Sequence, residues 1–158
     1  MYKKAVTFIE LVIIVAIIGI MTSVLLVSTS GSRTDKALEA AAREVTATIR
    51  EAQNYALTGK GAGAGCNTYV FTYGAGAYSV SNGVACSVNS SYALKNGVTF
   101  QNPGLLSFSF AVPHGAISGI VFGTPRDIIL DKSSKVIHVC VYSSGKIIET
   151  DIGAAGCP

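Results

Sequence analysis

Ala5-Val-Thr-Phe-Ile-Glu10-Leu-Val-Ile-Ile-Val-Ala-Ile-Ile-Gly19-Ile20 follows two lysines, Lys3 and Lys4, at the start of this chain. From Leu11 to Val27 no residue carries a charge and nearly all are apolar. A helix that is apolar all round must be covered by lipid or by other helices. Glu10 stands at the front edge of this run. An acid at a bilayer centre costs roughly 2.5–3.5 kcal/mol, and less near the edge. So Glu10 implies a partner or a purpose, and the rest of the chain is read outward from it.

Three readings compete for residues 1–27. A conventional secretory signal needs small residues at a cleavage site near the end of the run. Ser23, Ser28 and Ser30 could supply them, but the basic region is very short and Glu10 is out of place. A permanent single-pass anchor keeps Lys3 and Lys4 inside by the positive-inside rule. Its uncharged run, 11–27, is at the short end for a span. The third reading is a small basic leader cut before the apolar run, which is then retained.

Lys3-Lys-Ala-Val-Thr-Phe-Ile-Glu-Leu11 resembles the processing site of type IV pilins and type II secretion pseudopilins, which carry a class III leader. In that family a basic leader ends in a small residue and the fifth residue of the mature chain is Glu. The resemblance implies cleavage between Ala5 and Val6, N-methylation of Val6, and Glu10 in fifth place. Ala5 replaces the commoner Gly and Val6 the commoner Phe. The implied role of Glu10 is filament assembly, by neutralising the free α-amine of a neighbouring copy. A carboxylate near a helix N-terminus is also favoured by the helix dipole. The implied partners are prepilin peptidase, the inner membrane, and a homo- or hetero-oligomeric pilin or pseudopilin filament. The implied location is the bacterial inner membrane, N-terminus in the cytoplasm, and afterwards a periplasmic or extracellular filament.

Helical character continues past Val27. After the polar stretch Ser28–Arg33, apolar residues recur at Leu38, Ala41 or Ala42, Val45, Ile49, Ala52 and Ala56. Steps of three and four mark one face of a helix. Lys36, Glu39, Arg43, Glu44, Arg50 and Glu51 lie mostly off that face. Gly59, followed by Lys60 and Gly61, is a stop signal. The helix is thus expected over 6–58, roughly 80 Å at 1.5 Å per residue. No proline interrupts it, and Val27 stands where family members often carry a kinking proline.

Beyond the helix, Gly61–Gly65 and Gly74–Ala77 read as flexible connectors, since no Lys-Ser/Thr pair follows to make a phosphate loop. Strand-like runs follow at Thr68–Tyr73, Tyr78–Val80, Leu105–Val112, Ile117–Phe122, Ile128–Asp131, Val136–Tyr142 and Lys146–Ile152. Ser143-Ser-Gly145 reads as a hairpin turn. Pro103, Pro113 and Pro125 fall between runs. The expected fold is α+β: a leader 1–5, a helix 6–58 whose 6–27 part is membrane or filament core, and a β-rich domain 59–158 with an antiparallel sheet. This order, Glu44–Thr58 and Val139–Lys146 resemble, more weakly, the minor pilin and H-type pseudopilin subgroup.

The four cysteines, Cys66, Cys86, Cys140 and Cys157, show no C-x-x-C spacing, which argues against zinc. An exported domain sits in an oxidising space, where they pair. Of three connectivities, Cys66–Cys86 and Cys140–Cys157 close the shortest loops, each worth about 3 kcal/mol in the chain-entropy model. Buried free thiols are the alternative.

Net charge is +3, and +1 without Lys3 and Lys4, which gives no electrostatic case for nucleic acid. Gly145-Lys-Ile-Ile148 has one base where some DNA-binding minor pilins carry Gly-Arg-x-Arg. His138 reads as a sheet-face residue and His114 as a loop residue. Asp127 and Asp131 read as strand-end acids; calcium would need further oxygens. No Gly-x-Ser-x-Gly frame or other catalytic constellation is present, so neither an enzyme nor a cofactor site is expected. The alternatives to a filament subunit are a minor tip pilin that binds DNA or a surface, and an unprocessed single-pass membrane protein.

Overall fold

The computed structural model describes residues 8–63, 65–83, 86, 88–102 and 104–158, with the backbone alone for 24–30. The leader and the Ala5–Val6 positions lie outside the described residues, as does Pro103. The chain forms two compact units, one ending at Thr34 and the other running Asp35–Pro158. The fold is α+β: helix α1, Phe8–Thr58, passes through both units, and antiparallel strands follow it.

Glycine ends α1 as expected. Gly59 takes a positive φ of 65°, which costs a residue without Cβ little. This lets the Lys60 N–H donate to the Tyr55 carbonyl at 3.2 Å, the Schellman closure that satisfies an otherwise orphaned end group.

Nine strands are present among the described residues: β1 Thr68–Gly74, β2 Ala77–Ser81, β3 Asn89–Ala93, β4 Thr99–Phe100, β5 Leu106–Ala111, β6 Ala116–Ser118, β7 Arg126–Lys132, β8 Lys135–Val141 and β9 Ile147–Glu149. One sheet has the order β3-β2-β1-β5-β6 and the other β4-β7-β8-β9, and all pairings are antiparallel.

The helix stripe read from the sequence is the stripe that is buried. Leu38, Ala42, Val45, Ile49, Ala52 and Ala56 are fully buried and Ala41 nearly so. They share one core with alternate residues of both sheets: Tyr69, Phe71 and Tyr73 of β1, Phe108 and Phe110 of β5, Ile128 and Leu130 of β7, and Ile137, Val139 and Val141 of β8. Alanines and larger aliphatic residues of the helix stripe share this core with the aromatic rings of the sheets. Phe100 of β4 joins the sheets, with its ring centroid 5.4 Å from that of Tyr73 and 6.3 Å from that of Tyr78. At the start of β8, Lys135 Nζ meets Asp35 Oδ1 at 2.6 Å on the surface of the same unit.

Several local expectations need correction. Gly74–Ala77 is a tight hairpin and not a flexible connector: Gly74 pairs with Ala77, and Ala75 and Gly76 both take positive φ. That backbone suits the right-handed twist of the flanking strands. A Cβ on Gly74 would lie 2.8 Å from the Gly104 carbonyl oxygen, so the site needs glycine. The stretch around Gly61 is held as well, by Asn82 Nδ2 donating to Gly61 O at 3.1 Å and by the Tyr69 hydroxyl donating to the Lys60 carbonyl. The run Ile117–Phe122 is strand only through Ser118, because Gly119 takes a positive φ and the chain turns away. Val121 and Phe122 then stand exposed. The last run is strand only over Ile147–Glu149. β3 and β4 were not expected from the sequence, since Asn89-Ser-Ser-Tyr-Ala93 has no apolar alternation and β4 is two residues long.

Candidate functional site

The first unit presents the residues singled out for assembly. From Phe8 to Ser23 every side chain is exposed, with Phe8 at 84% and the least exposed large one, Val12, at 44%. Contiguous exposed apolar side chains of such extent are typical of interaction surfaces. Glu10 lies in the first turn of α1, where the helix dipole favours a carboxylate. Gly19 has no neighbour within 4 Å of where a Cβ would stand, so it leaves an open notch on the surface.

The hydroxyls in this stretch are satisfied internally. Thr22 Oγ1 donates to Ile18 O at 2.7 Å and Ser23 Oγ donates to Ile20 O at 2.7 Å. Such back-bonding removes the penalty of placing a hydroxyl in an apolar phase. Among the described residues no helix is long and apolar enough to cross a membrane. The stretch with described side chains, 8–23, is shorter than the ~20 residues of a span, and the sequence continues as Val24-Leu-Leu-Val27.

In the second unit all four cysteines form disulfides, Cys66–Cys86 with Cα atoms 5.9 Å apart and Cys140–Cys157 with Cα atoms 5.6 Å apart. The pairing is the local one. The first bridge ties the start of β1 to the loop after β2. The second fastens the C-terminal segment to β8.

Asp127, Cys140 and Cys157 bring ligand-type atoms within 4.8 Å of one another. Both sulfurs are committed to the disulfide, so they offer no thiolate to a metal. The two aspartates considered for calcium are engaged separately. Asp131 Oδ1 accepts from Thr99 Oγ1 at 2.7 Å, and both carboxylate oxygens of Asp127 lie 2.9 Å from His138 Nδ1. Four residues apart on one strand, they stand roughly 13 Å from each other along it.

His138 is a buried sheet-face residue, as expected, while His114 lies exposed in the turn between β5 and β6. The Asp127–His138 contact depends on strand register, which the local sequence around neither residue carries. Pairing of Ile129 with His138 and of Asp127 with Cys140 places both side chains on the face of β7–β8 away from the helix. The signal that finds the pair is the turn at Ser133-Ser134, which sets this register.

One cleft is lined by Leu106, Ile120, Thr124, Pro125 and Arg126, with Arg126 Nη2 donating to the Gly119 carbonyl at 2.7 Å across it. A second lies among Glu39, Arg43, Glu149 and Asp151. Two buried phenols face the core: burial pushes Tyr73 up, and burial beside Glu44 pushes Tyr78 up to about 12. Neither hydroxyl makes a hydrogen bond of ordinary geometry. Both hydroxyl oxygens are buried. Comparison with protein-family models, with curated proteins and with solved structures found no match to this chain.

Proposed function

We propose that this chain is a structural subunit of a type IV pilus or a type II secretion pseudopilus, with the pilin fold, that waits in the inner membrane and polymerises through its N-terminal helix. The observation that supports this best is the division of labour along α1. Its first part leaves every described side chain from Phe8 to Ser23 exposed, and its second part buries a stripe against its own sheets. A domain that folds without the first part frees that part for lipid and then for neighbouring subunits.

The energetics differ between the two settings. Taking the eleven exposed large side chains of 8–21 out of water is worth on the order of 10 kcal/mol. That gain is already complete in lipid, whose tails are as apolar as leucine. Moving from membrane to filament therefore depends on close packing and on charge pairing, which supplies a reason for an acid at position 10. In this reading prepilin peptidase cuts after Ala5, Val6 becomes the methylated N-terminus, and Glu10 pairs with that end of an adjacent copy.

Glu10→Ala is expected to abolish incorporation into filaments while the thermal transition of the full chain stays in place. Normal incorporation of this variant would sink the proposal. The mass of the native N-terminus separates it from an unprocessed membrane protein: the chain starts at Val6 in the first case and at Met1 in the second.

A further inference from the structure

The segment after β9 folds back over the face of β7–β8 that points away from the helix. Thr150 and His138 exchange bonds: the Thr150 N–H donates to His138 O at 3.0 Å, and the His138 N–H donates to Thr150 Oγ1 at 3.1 Å. The Gly153 N–H donates to Val136 O at 2.8 Å. The Tyr142 hydroxyl donates to Pro158 O at 2.6 Å, and Cys157 is bonded to Cys140. Under this segment lies the His138 ring, 5% exposed.

The ring meets an acceptor at each nitrogen. Nδ1 faces both oxygens of Asp127 at 2.9 Å, and Nε2 faces the Ala154 carbonyl at 3.1 Å. A neutral imidazole carries one N–H and serves one of these partners; an imidazolium carries two and serves both. With only Nδ1–H, the Nε2 lone pair would press against a carbonyl lone pair. With only Nε2–H, the same conflict arises with a carboxylate. The remaining charged residues of the elements packed here are Arg126, Asp131 and Lys132 of β7, Lys135 of β8, Glu149 of β9 and Asp151 of the segment. Asp131 is engaged by Thr99, Lys135 by Asp35 and Arg126 by Gly119.

We propose that residues 150–158 form a proton-gated strap, closed when the His138 ring carries two hydrogens and bridges Asp127 to the Ala154 carbonyl. Loss of one hydrogen removes one of the two ring bonds. The strap then loosens between Thr150 and the Cys157 tether, uncovering the outer face of β8.

Hydrogen exchange of the full chain in detergent micelles, with the Gly153 amide as reporter, tests this. After correction for intrinsic rates, its protection is expected to fall about tenfold between pH 5 and pH 8, the weight of one hydrogen bond to a charged group. Asp127→Asn, whose amide can donate to a neutral ring, is expected to flatten the profile. A wild-type profile flat within about twofold, or one unchanged by Asp127→Asn, overturns the proposal. Ring ¹⁵N spectra of the wild type give a second measurement that needs no variant. Two N–H groups at pH 5 and one at pH 8 support the strap; a single N–H at pH 5 overturns it.

Discussion

Residues 8–23 and 35–58 belong to one helix, yet they meet opposite surroundings. In the second stretch, seven residues at helical spacing are buried on aromatic rings of two sheets, and charged residues such as Glu39, Arg43, Arg50 and Glu51 face water. In the first stretch, isoleucine, valine and leucine occupy the whole circumference and none is buried by the described chain. The local backbone is the same. What differs is how many faces are apolar, and therefore how many neighbours the helix requires. One face calls for one domain; a full circumference calls for a phase or a bundle. The helix thus carries two addresses, one within its own chain and one outside it.

The same substitution made in both stretches is the sharpest way to break this comparison. Ile49→Ala deletes a fully buried side chain and is expected to cost about 3–4 kcal/mol in denaturant unfolding. Ile14→Ala, at a half-exposed position, is expected to leave that transition unmoved and to lower filament yield. Equal losses of stability at both positions would mean that the two stretches are not energetically separate.

The disulfide of the C-terminal segment comes next in size. Replacing Cys140 and Cys157 together by Ser is expected to cost about 3 kcal/mol and to lower the melting midpoint by on the order of 10 °C, with Glu10-dependent assembly retained. Alkali probes the core itself. The Tyr78 phenol stays neutral in the fold to about 12, against about 10 in an unfolded chain. Its contribution is complete below pH 10 and is lost as the pH climbs from about 10 to about 12, because the unfolded state gives up its proton first. In a pH series of melting curves, Tyr78→Phe should lessen the loss in that window. The smallest effect belongs to the surface: Asp35→Ala removes the partner of Lys135 and should cost less than about 1 kcal/mol, as both side chains are well solvated.

Much of this architecture can be read in the sequence, for reasons that can be named. Leu38, Val45 and Ile49 declare their face because a helix with one dry side repeats its apolar residues every three or four positions. Gly59 declares the stop because few other residues accept its conformation. The cysteine pairs follow from loop length. β3 escaped because an edge strand with one solvated face and serines along it has no alternation to display; Ser90 and Tyr92 turn inward, and the Tyr92 ring centroid lies 5.3 Å from that of Tyr78. The β7–β8 register escaped because Ser133 and Ser134 adopt positive φ without the glycine that usually marks such a turn. With it escaped the meeting of Asp127 and His138, which depends on register and on no local motif. The assembly residues stand differently. Glu10 is legible as an oddity in an apolar run, whereas Ala5 and Val6 lie outside the described residues.

The back-bonded hydroxyls of Thr22 and Ser23 carry a consequence for reversibility. Each donates its hydrogen to the helix that bears it, so the described polar side chains of Leu11–Ser23 ask nothing of lipid, of water or of another subunit. Exchanging one apolar neighbour for another along this stretch leaves the count of these hydrogen bonds unchanged in either direction. In the filament proposed above, entry and departure would leave these hydrogen bonds unbroken, so this stretch could change neighbours without rearranging its own hydroxyls.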